Sequence, residues 1–287
     1  MTRIGRNPLS GNKTTVPPPP EFSLCMLTHY TDDAYHRFRV PVIDLCVQTY
    51  RAGAAGKDYE LIIWDNGSTA DFRQHLFTYK PDVLILSPNV GKSSARLGLA
   101  HIARGKVFCF SDDDIFYYDG WLNAHLDLLY HFPAPVMISG SPYRLACNNG
   151  TRAIHRFATR PGAILVEGQN ISEEDERLYS LSLGNDWERH KLRIAAATDY
   201  ILEWNGKRAY GHGHHMQFVT WREDVLPFLR PSEVYLDNER HWEQYLDDNN
   251  YLRLTTLPRS TWHIGNELTG DVIIANGQVI LNKKKEG

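Results

Sequence analysis

Several features are missing from this sequence of 287 residues, and each absence argues against a class of protein. No apolar run reaches the roughly 20 residues that a membrane-spanning helix needs. Residues 1–20 are polar and rich in proline, and they contain no apolar signal core. The 31 basic and 34 acidic side chains give a formal net charge of −3, without the basic field that dedicated DNA binding requires. We therefore expect a cytoplasmic protein with no transmembrane segment.

Cysteine is scarce, and the four cysteines do not form a recognisable framework. They are Cys25, Cys46, Cys109 and Cys147, and they are widely separated along the chain. The first three lie inside apolar segments. This pattern favours buried, reduced thiols over disulfide bonds or a zinc site.

The sequence does contain many short apolar runs that alternate with segments of helical period. The runs that predict strands are residues 22–27, 59–64, 83–86, 107–110, 136–139 and 200–204. The segments between the first five have the length and period of helices, which favours right-handed βαβ units. We predict an α/β fold with a mostly parallel central sheet.

Three further segments differ from this alternation. Residues 1–20 end in four prolines and contain almost nothing to bury, which predicts a flexible, disordered leader. Residues 143–193 show no clear period, and we expect little regular structure there. Near the end of the chain, Asn276-Gly277 between two β-branched runs predicts a β-hairpin. Residues 271–287 are therefore treated as a hairpin followed by a basic tail.

Polar residues directly follow three of the predicted strands. They are Thr28-His29, Asp65-Asn66 and Asp112-Asp113-Asp114. In a doubly wound sheet, ligands bind beyond the carboxyl ends of the strands, so these positions are the first candidates for a site. Asp65-Asn66 before Gly67 is also typical of an ordinary turn. Ser68 with Asp71 three residues later further predicts a capping box that opens a helix.

The three consecutive aspartates suggest a metal site. Side chains alternate along an extended backbone, so Asp112 and Asp114 are expected on one side and Asp113 on the other. Two carboxylates suit Mn²⁺ or Mg²⁺, because these ions prefer oxygen ligands and keep positions open for substrate phosphates. The alternative is an acidic turn that starts a helix, where aspartate is also favoured.

Four motifs follow one another in the first half of the chain. They are Ser23-Leu24-Cys25-Met26-Leu27-Thr28, then Ile63-Trp64-Asp65-Asn66-Gly67-Ser68, then Asn89-Val90-Gly91 with Ala95-Arg96, and finally residues 105–114 ending in Asp112-Asp113-Asp114. In this order they resemble the first half of a GT-A glycosyltransferase of family 2. The resemblance covers residues 22 to about 130. Leu97 departs from it, because the family usually has Asn there.

The resemblance implies a Rossmann-like GT-A domain over residues 21–270 that transfers a sugar from a nucleoside diphosphate sugar, most commonly UDP-linked, with Mn²⁺ or Mg²⁺. Residues 21–130 would bind the nucleotide sugar, and residues 131–270 would form the acceptor side. Asp112 and Asp114 would hold the ion. The residues that the resemblance places around the nucleotide sugar are Thr28, Tyr30, Asp65, Asn66, Arg96, Asp112 and Asp113.

The second half of the chain supplies a candidate catalytic base. Asp237-Asn238-Glu239 stands where the family has Glu-Asp, and the distance to Tyr251 aligns Glu239 with the family's catalytic Asp. Asp237 is the competing assignment. A carboxylate at this place would deprotonate the acceptor hydroxyl. The alternative is a solvated helix N-terminus, where acidic residues are favoured by the helix dipole.

Histidines provide further candidates. Some GT-A enzymes complete the metal shell with a late histidine, and His263 resembles that residue, although a lone histidine is more often a structural hydrogen-bonding group. His212, His214 and His215 have no further ligand at zinc spacing. We expect this cluster on the acceptor side of the cleft.

Two other functions compete with glycosyl transfer. A nucleotidyltransferase would need a basic, glycine-rich loop after the first strand, whereas residues 28–33 are acidic and contain no glycine. Gly91-Lys92-Ser93 is not a P-loop, because Leu86 stands where that motif needs glycine. A noncatalytic carbohydrate- or Ca²⁺-binding module is the other alternative. The resemblance favours inversion, and it leaves open the donor sugar, the oligomeric state and the acceptor, which can be a glycan, protein, lipid-linked or nucleic-acid hydroxyl.

Overall fold

A ten-stranded sheet forms the centre of the fold in the computed structural model, which describes residues 18–227, 239–268, 270, 272–275 and 278–281. Most of the predicted leader and the basic tail lie outside the described residues. The strands are β1 (Phe22–Thr28), β2 (Tyr59–Asn66), β3 (Val83–Ser87), β4 (Val107–Asp112), β5 (Ile115–Tyr117), β6 (Val136–Ser139), β7 (Ala163–Gly168), β8 (Asp199–Trp204), β9 (Lys207–Tyr210), β10 (Gln217–Trp221), β11 (Leu252–Thr255), β12 (Thr261–His263), β13 (Val272–Ala275) and β14 (Gln278–Leu281). The α-helices of the described residues are α1 (Arg39–Ala52), α2 (Ala70–Leu76), α3 (Lys92–Ile102), α4 (Trp121–His131), α5 (Arg152–Phe157), α6 (Glu173–Ser182), α7 (Trp187–Ile194), α8 (Arg222–Val225) and α9 (Glu239–Asp248).

The order of strands in the main sheet is β3-β2-β1-β4-β10-β6-β11-β9-β8-β7. The first four strands are parallel, as the βαβ pattern predicts. The next strand, β10, runs antiparallel to both of its neighbours, and β7, β8 and β9 form an antiparallel meander. The α/β class is therefore confirmed, in a sheet that combines parallel and antiparallel strands.

The central strands are buried on both faces of the sheet. All seven residues of β1 are buried, which explains why five of them are apolar and why its sequence does not alternate. Helices α1 and α4 contribute to the core on one face, while α3 and α9 contribute to a second cluster that includes Cys25 and Phe110. The four cysteines are free and buried, which confirms the prediction of reduced thiols.

Residues 143–193 are more regular than expected. They contain α5, β7, α6 and α7, so the prediction of little regular structure was wrong. Ser172 and Asp186 cap α6 and α7 by accepting hydrogen bonds from the backbone N–H three residues later. These helices have only eight to ten residues, with mostly charged exposed faces, so they show too few turns for a clear apolar period.

Two local predictions had different outcomes. The capping box at Ser68 was wrong, because α2 begins at Ala70 after Thr69, and the Ser68 hydroxyl accepts a hydrogen bond from the Tyr30 backbone N–H at 2.9 Å. The C-terminal hairpin was confirmed, since β13 and β14 pair in antiparallel register; its predicted turn lies outside the described residues. Among the described residues, no helix has the length and apolar character to span a membrane.

Candidate active site

A cleft lies at the carboxyl ends of the central parallel strands. Strand β1 pairs with β2 and β4, so that Thr28 lies beside Asp65 and Leu27 lies beside Asp112. Crossover helices begin at this edge, and Arg39, Lys92 and Glu239 are the first residues of α1, α3 and α9. The cavity between them has a volume of about 450 Å³, within the range of roughly 300–1,000 Å³ that is usual for small-molecule sites.

Asp112 ends β4 and faces α3. Its Oδ2 lies 2.8 Å from Lys92 Nζ. Burial raises the pKa of the Asp112 carboxyl, and the ammonium of Lys92 opposes that rise without cancelling it. Burial lowers the pKa of Lys92, but the negative charges of Asp112 and Glu239 outweigh burial and raise this pKa.

Asp113 faces the opposite side of the cleft mouth. It forms an ion pair with Arg39 and accepts a hydrogen bond from the Thr28 hydroxyl at 2.6 Å. Burial raises the pKa of Asp113, and Arg39 acts against that rise. Arg39 also donates to the Asn266 side chain at 2.7 Å, so one guanidinium ties α1 to the turn after β4 and to the segment after β12.

Asp114 meets the late histidine that the sequence singled out. Its Oδ2 lies 3.4 Å from His263 Nε2 and 3.5 Å from Arg39, while its Oδ1 is buried without a hydrogen-bond partner. Burial alone would raise the pKa of Asp114, but His263 and Arg39 outweigh it and hold this pKa at about 2. Pairing of β12 with β5 places His263 beside Ile115, immediately after the aspartates.

The three aspartates do not alternate as an extended strand would. Strand β4 ends at Asp112, and Asp113 and Asp114 form the turn into β5. Asp112 therefore faces Lys92, Asp113 faces Arg39, and Asp114 faces both Arg39 and His263. Among the residues that the structure describes, no three metal-ligating side chains converge as a ready-made cluster.

A divalent cation nevertheless fits the chemistry around Asp114. The buried Oδ1 has no hydrogen-bond partner, and His263 Nε2 lies 3.4 Å from the other oxygen of the same carboxylate, Oδ2. Mn²⁺ and Mg²⁺ sites at phosphate-transfer centres commonly use one or two carboxylates, with waters and substrate oxygens in the remaining positions.

Glu239 lies across the cleft from the aspartates and is surrounded by cations. Its Oε1 is 2.8 Å from Lys92 Nζ and 3.0 Å from Arg96, and its Oε2 is 2.6 Å from His215 Nε2. Burial favours the neutral acid, but His215, Lys92 and Arg96 together hold the pKa of Glu239 far below its usual range. The competing candidate, Asp237, lies outside the described residues.

Several predicted nucleotide-site residues are engaged elsewhere. Asp65 is fully buried and accepts hydrogen bonds from the Ser68 N–H and from Arg73 Nε. Tyr30 stacks on Phe72, with ring centres 4.9 Å apart. Neither Asp65 nor Tyr30 is among the described residues that line the cavity, whereas Thr28 is.

Arg96 and Asn66 differ in whether they line the cavity: Asn66 does and Arg96 does not. Arg96 is 2% exposed and packs over the rings of Phe110 and Trp242, so it holds Glu239 from behind the cavity. Asn66 lines the cavity, and its amide donates to the Asn89 side chain and accepts from the Val90 N–H.

The histidine cluster divides between core and cleft. His215 lines the cavity, whereas His212 and His214 are completely buried. Burial lowers the pKa of His212 to about 4 and that of His214 to about 3. Only one member of the cluster therefore faces the cleft.

Sequence reasoning did not assign Arg39 or Lys92 to the site, and it placed His215 on the acceptor side of the cleft without giving it a role. A signal existed for Lys92, which follows Gly91 at the start of α3 inside a recognised motif, but it was weighed only as part of a P-loop. No local signal marked Arg39, because its partner Asp113 is 74 residues away in the chain.

Comparisons with known proteins bear on this geometry. The family model for glycosyl transferase family 2 matches residues 34–190, which is more than half of the chain. No curated protein matches the sequence. Among solved structures, glucosyl-3-phosphoglycerate synthase from Mycobacterium tuberculosis, in complex with Mn²⁺, UDP and glucosyl-3-phosphoglycerate, is similar at 14% identity and a TM-score of 0.36. That match covers 71% of this chain and 57% of the synthase.

Proposed function

We propose, from the premise that the chain belongs to glycosyl transferase family 2 and is a glycosyltransferase, that it moves a sugar from a UDP-linked donor to an acceptor hydroxyl. One observation carries the proposal. Three consecutive carboxylates lie at the end of β4 and in the turn after it, Lys92 and Arg39 face them, and Glu239 lines the same cavity. Family membership favours this function over a nucleotidyltransferase or a noncatalytic module.

The donor would occupy the cleft with its nucleoside toward β1 and β2. Thr28, Asn66 and Asn89 line that part of the cavity, and Asp113, held by Thr28 and Arg39, presents a carboxylate beside them. The diphosphate is an anion, and Arg39 and Lys92 are the cations that face it. Asp65 and Tyr30 would act indirectly, by holding the turn at Ser68 in place. Arg96 would act indirectly through Glu239, which it contacts at 3.0 Å.

A divalent cation, Mn²⁺ or Mg²⁺, would be held by Asp114 and His263, with Asp112 as a further ligand. When bound, it would supply charge neutralisation for the diphosphate as that group departs. Arg39 and Lys92 face the same charge from the protein side, so their positive charges act in the same direction.

Glu239 would take the proton of the acceptor hydroxyl. The acceptor oxygen then forms the bond to the anomeric carbon as the nucleoside diphosphate leaves, in a single displacement that inverts the anomeric configuration. The three cations keep Glu239 ionised, but they also make it a weak base. A donor diphosphate that attracts Lys92 would remove one of these cations and raise the pKa of Glu239, which would couple donor binding to activation of the base.

Ligand binding tests the proposal before any acceptor is known. Selective binding to the folded state raises the melting temperature by mass action, so we expect UDP and UDP-sugars to stabilise the protein more with Mn²⁺ than without it. Asp114→Asn should abolish the Mn²⁺-dependent part. The matched control is Asp127→Asn, which changes an exposed carboxylate in an ion pair with Lys207 outside the cavity. Equal stabilisation of wild type and Asp114→Asn would contradict the metal assignment.

Transfer is then measured with labelled UDP-sugars against glycan, protein, lipid-linked and nucleic-acid acceptors in parallel.

We further propose that residues 21–270 form one catalytic domain. A cytoplasmic location stays a prediction, with which the four free cysteines agree.

A further inference from the structure

A histidine bridges Glu239 to a second, deeply buried glutamate. His215 Nε2 lies 2.6 Å from Glu239 Oε2, and His215 Nδ1 lies 2.8 Å from Glu243 Oε1. Because each ring nitrogen faces a carboxylate oxygen, each needs a hydrogen for both contacts to be hydrogen bonds. The pKa values of Glu239 and Glu243 are both held below their usual range, so neither carboxylate supplies such a hydrogen, and the ring in this arrangement is an imidazolium.

Glu243 is built as a fixed anchor for this ring. It is fully buried, and it accepts hydrogen bonds from the Asn149 amide at 2.6 Å, Arg253 NH1 at 3.3 Å and the His215 backbone N–H at 3.0 Å. The anchor and Glu239 both lie on α9, one turn apart, and side chains at this spacing share a helix face. The histidine comes from the loop before β10 and joins that face to the sheet.

Resting on the function proposed above, we propose that His215 is a positioning residue for sugar transfer, which holds Oε2 of Glu239 in the cleft while Lys92 and Arg96 hold Oε1. Glu243 fixes the ring through Nδ1, so the histidine cannot rotate away from the base. Without the histidine, Glu239 keeps its cations on one oxygen only and is free to turn about its last side-chain bond. A base that is misplaced by about 1 Å can lose roughly a hundredfold in rate.

Two substitutions of graded severity test the inference. His215→Leu removes both ring nitrogens, and His215→Gln keeps one amide donor for Glu239. We expect kcat to fall by about tenfold to a hundredfold in His215→Leu and by less in His215→Gln, with the donor KM within about twofold of wild type. His75→Gln is the matched control, because His75 Nε2 also lies 2.8 Å from a carboxylate, that of Asp44, but outside the cavity. It should leave both constants unchanged.

The outcomes separate the inference from the proposed function. Wild-type kcat in His215→Leu, or a raised donor KM with unchanged kcat, would overturn the positioning assignment while leaving the glycosyltransferase proposal in place. If wild type neither binds UDP nor transfers sugar, the function proposed above fails. In that case ¹⁵N NMR of the histidine rings still decides the inference: protons on both His215 nitrogens at neutral pH support the bridge, and a neutral tautomer overturns it.

Discussion

Removing Arg39 should destabilise the protein far more than removing an ordinary surface cation. The guanidinium pairs with Asp113 and lies 3.5 Å from Asp114, and these carboxylate side chains are only 5% and 12% exposed. Arg39→Met fills similar space but leaves two buried carboxylates without their shared cation. Breaking a buried ion pair in this way costs about 3–5 kcal/mol.

The lower end of that range applies here. Asp113 keeps its hydrogen bond from the Thr28 hydroxyl, and Asp114 keeps its contact with His263, so each carboxylate retains one polar partner. We expect a loss of about 3 kcal/mol in the free energy of unfolding, and a fall in melting temperature of roughly 6–12 °C. Urea unfolding followed by tryptophan fluorescence measures the first quantity.

Two variants make the measurement decisive. Lys207→Met breaks an exposed pair with Asp127, where the side chains are 36% and 58% exposed, and should cost less than about 1 kcal/mol. Adding Asp113→Asn to Arg39→Met should recover part of the loss, because it removes a buried charge. The reasoning is refuted if Arg39→Met costs no more than Lys207→Met, or if Asp113→Asn recovers nothing.

Two further predictions concern stability. Burial lowers the pKa values of His125, His212 and His214 to about 4, 4 and 3, so these rings are neutral when folded and bind protons on unfolding below about pH 6.5; each should therefore cost about 1.4 kcal/mol of stability per pH unit as pH falls toward 4. The raised pKa of His215 adds stability only as the pH falls to about 6.5 and leaves the slope below that pH unchanged, so a urea midpoint that stays level between pH 6.5 and 5 would contradict the assignment. Gly98→Ala should destabilise by about 1–3 kcal/mol in thermal or urea unfolding, because its Cβ would lie 2.3 Å from the Trp64 ring, and this overlap outweighs the gain of up to about 1 kcal/mol in helix propensity; a more stable variant would show that the ring moves aside.

The strands of the first half were predictable because burial on both faces of a parallel sheet leaves a continuous apolar run. Residues 24–27 of β1 are such a run, and the strand ends at Thr28, where the cleft begins. The edge of the sheet that carries the site followed from topology alone, since crossover connections return every parallel strand in the same direction. The sequence alone therefore predicts that Thr28, Asn66 and the three aspartates lie near one another.

The orientation of the aspartates could not be predicted in the same way. Alternation holds only while the backbone is extended, and β4 ends at Asp112. The side chains that these carboxylates meet are Arg39, Lys92 and His263, which lie far away along the chain. Contacts of this kind leave no local pattern in a single sequence.

The buried anchor behind Glu239 was also beyond sequence reasoning. Glu243 reads as one more charged residue on a helix with a polar face, yet it is fully buried. Its burial depends on Arg253 and Asn149, which pair with it only after β11 and the segment before α5 pack against α9.

The most direct test of the account is sugar transfer by Glu239→Gln at saturating UDP-sugar and Mn²⁺. The amide keeps the size of the side chain but cannot accept the acceptor's proton. The account predicts that kcat falls by about a hundredfold or more while UDP binding is retained. Transfer at the wild-type rate by this variant would contradict the claim that the carboxylate at the start of α9 is the base.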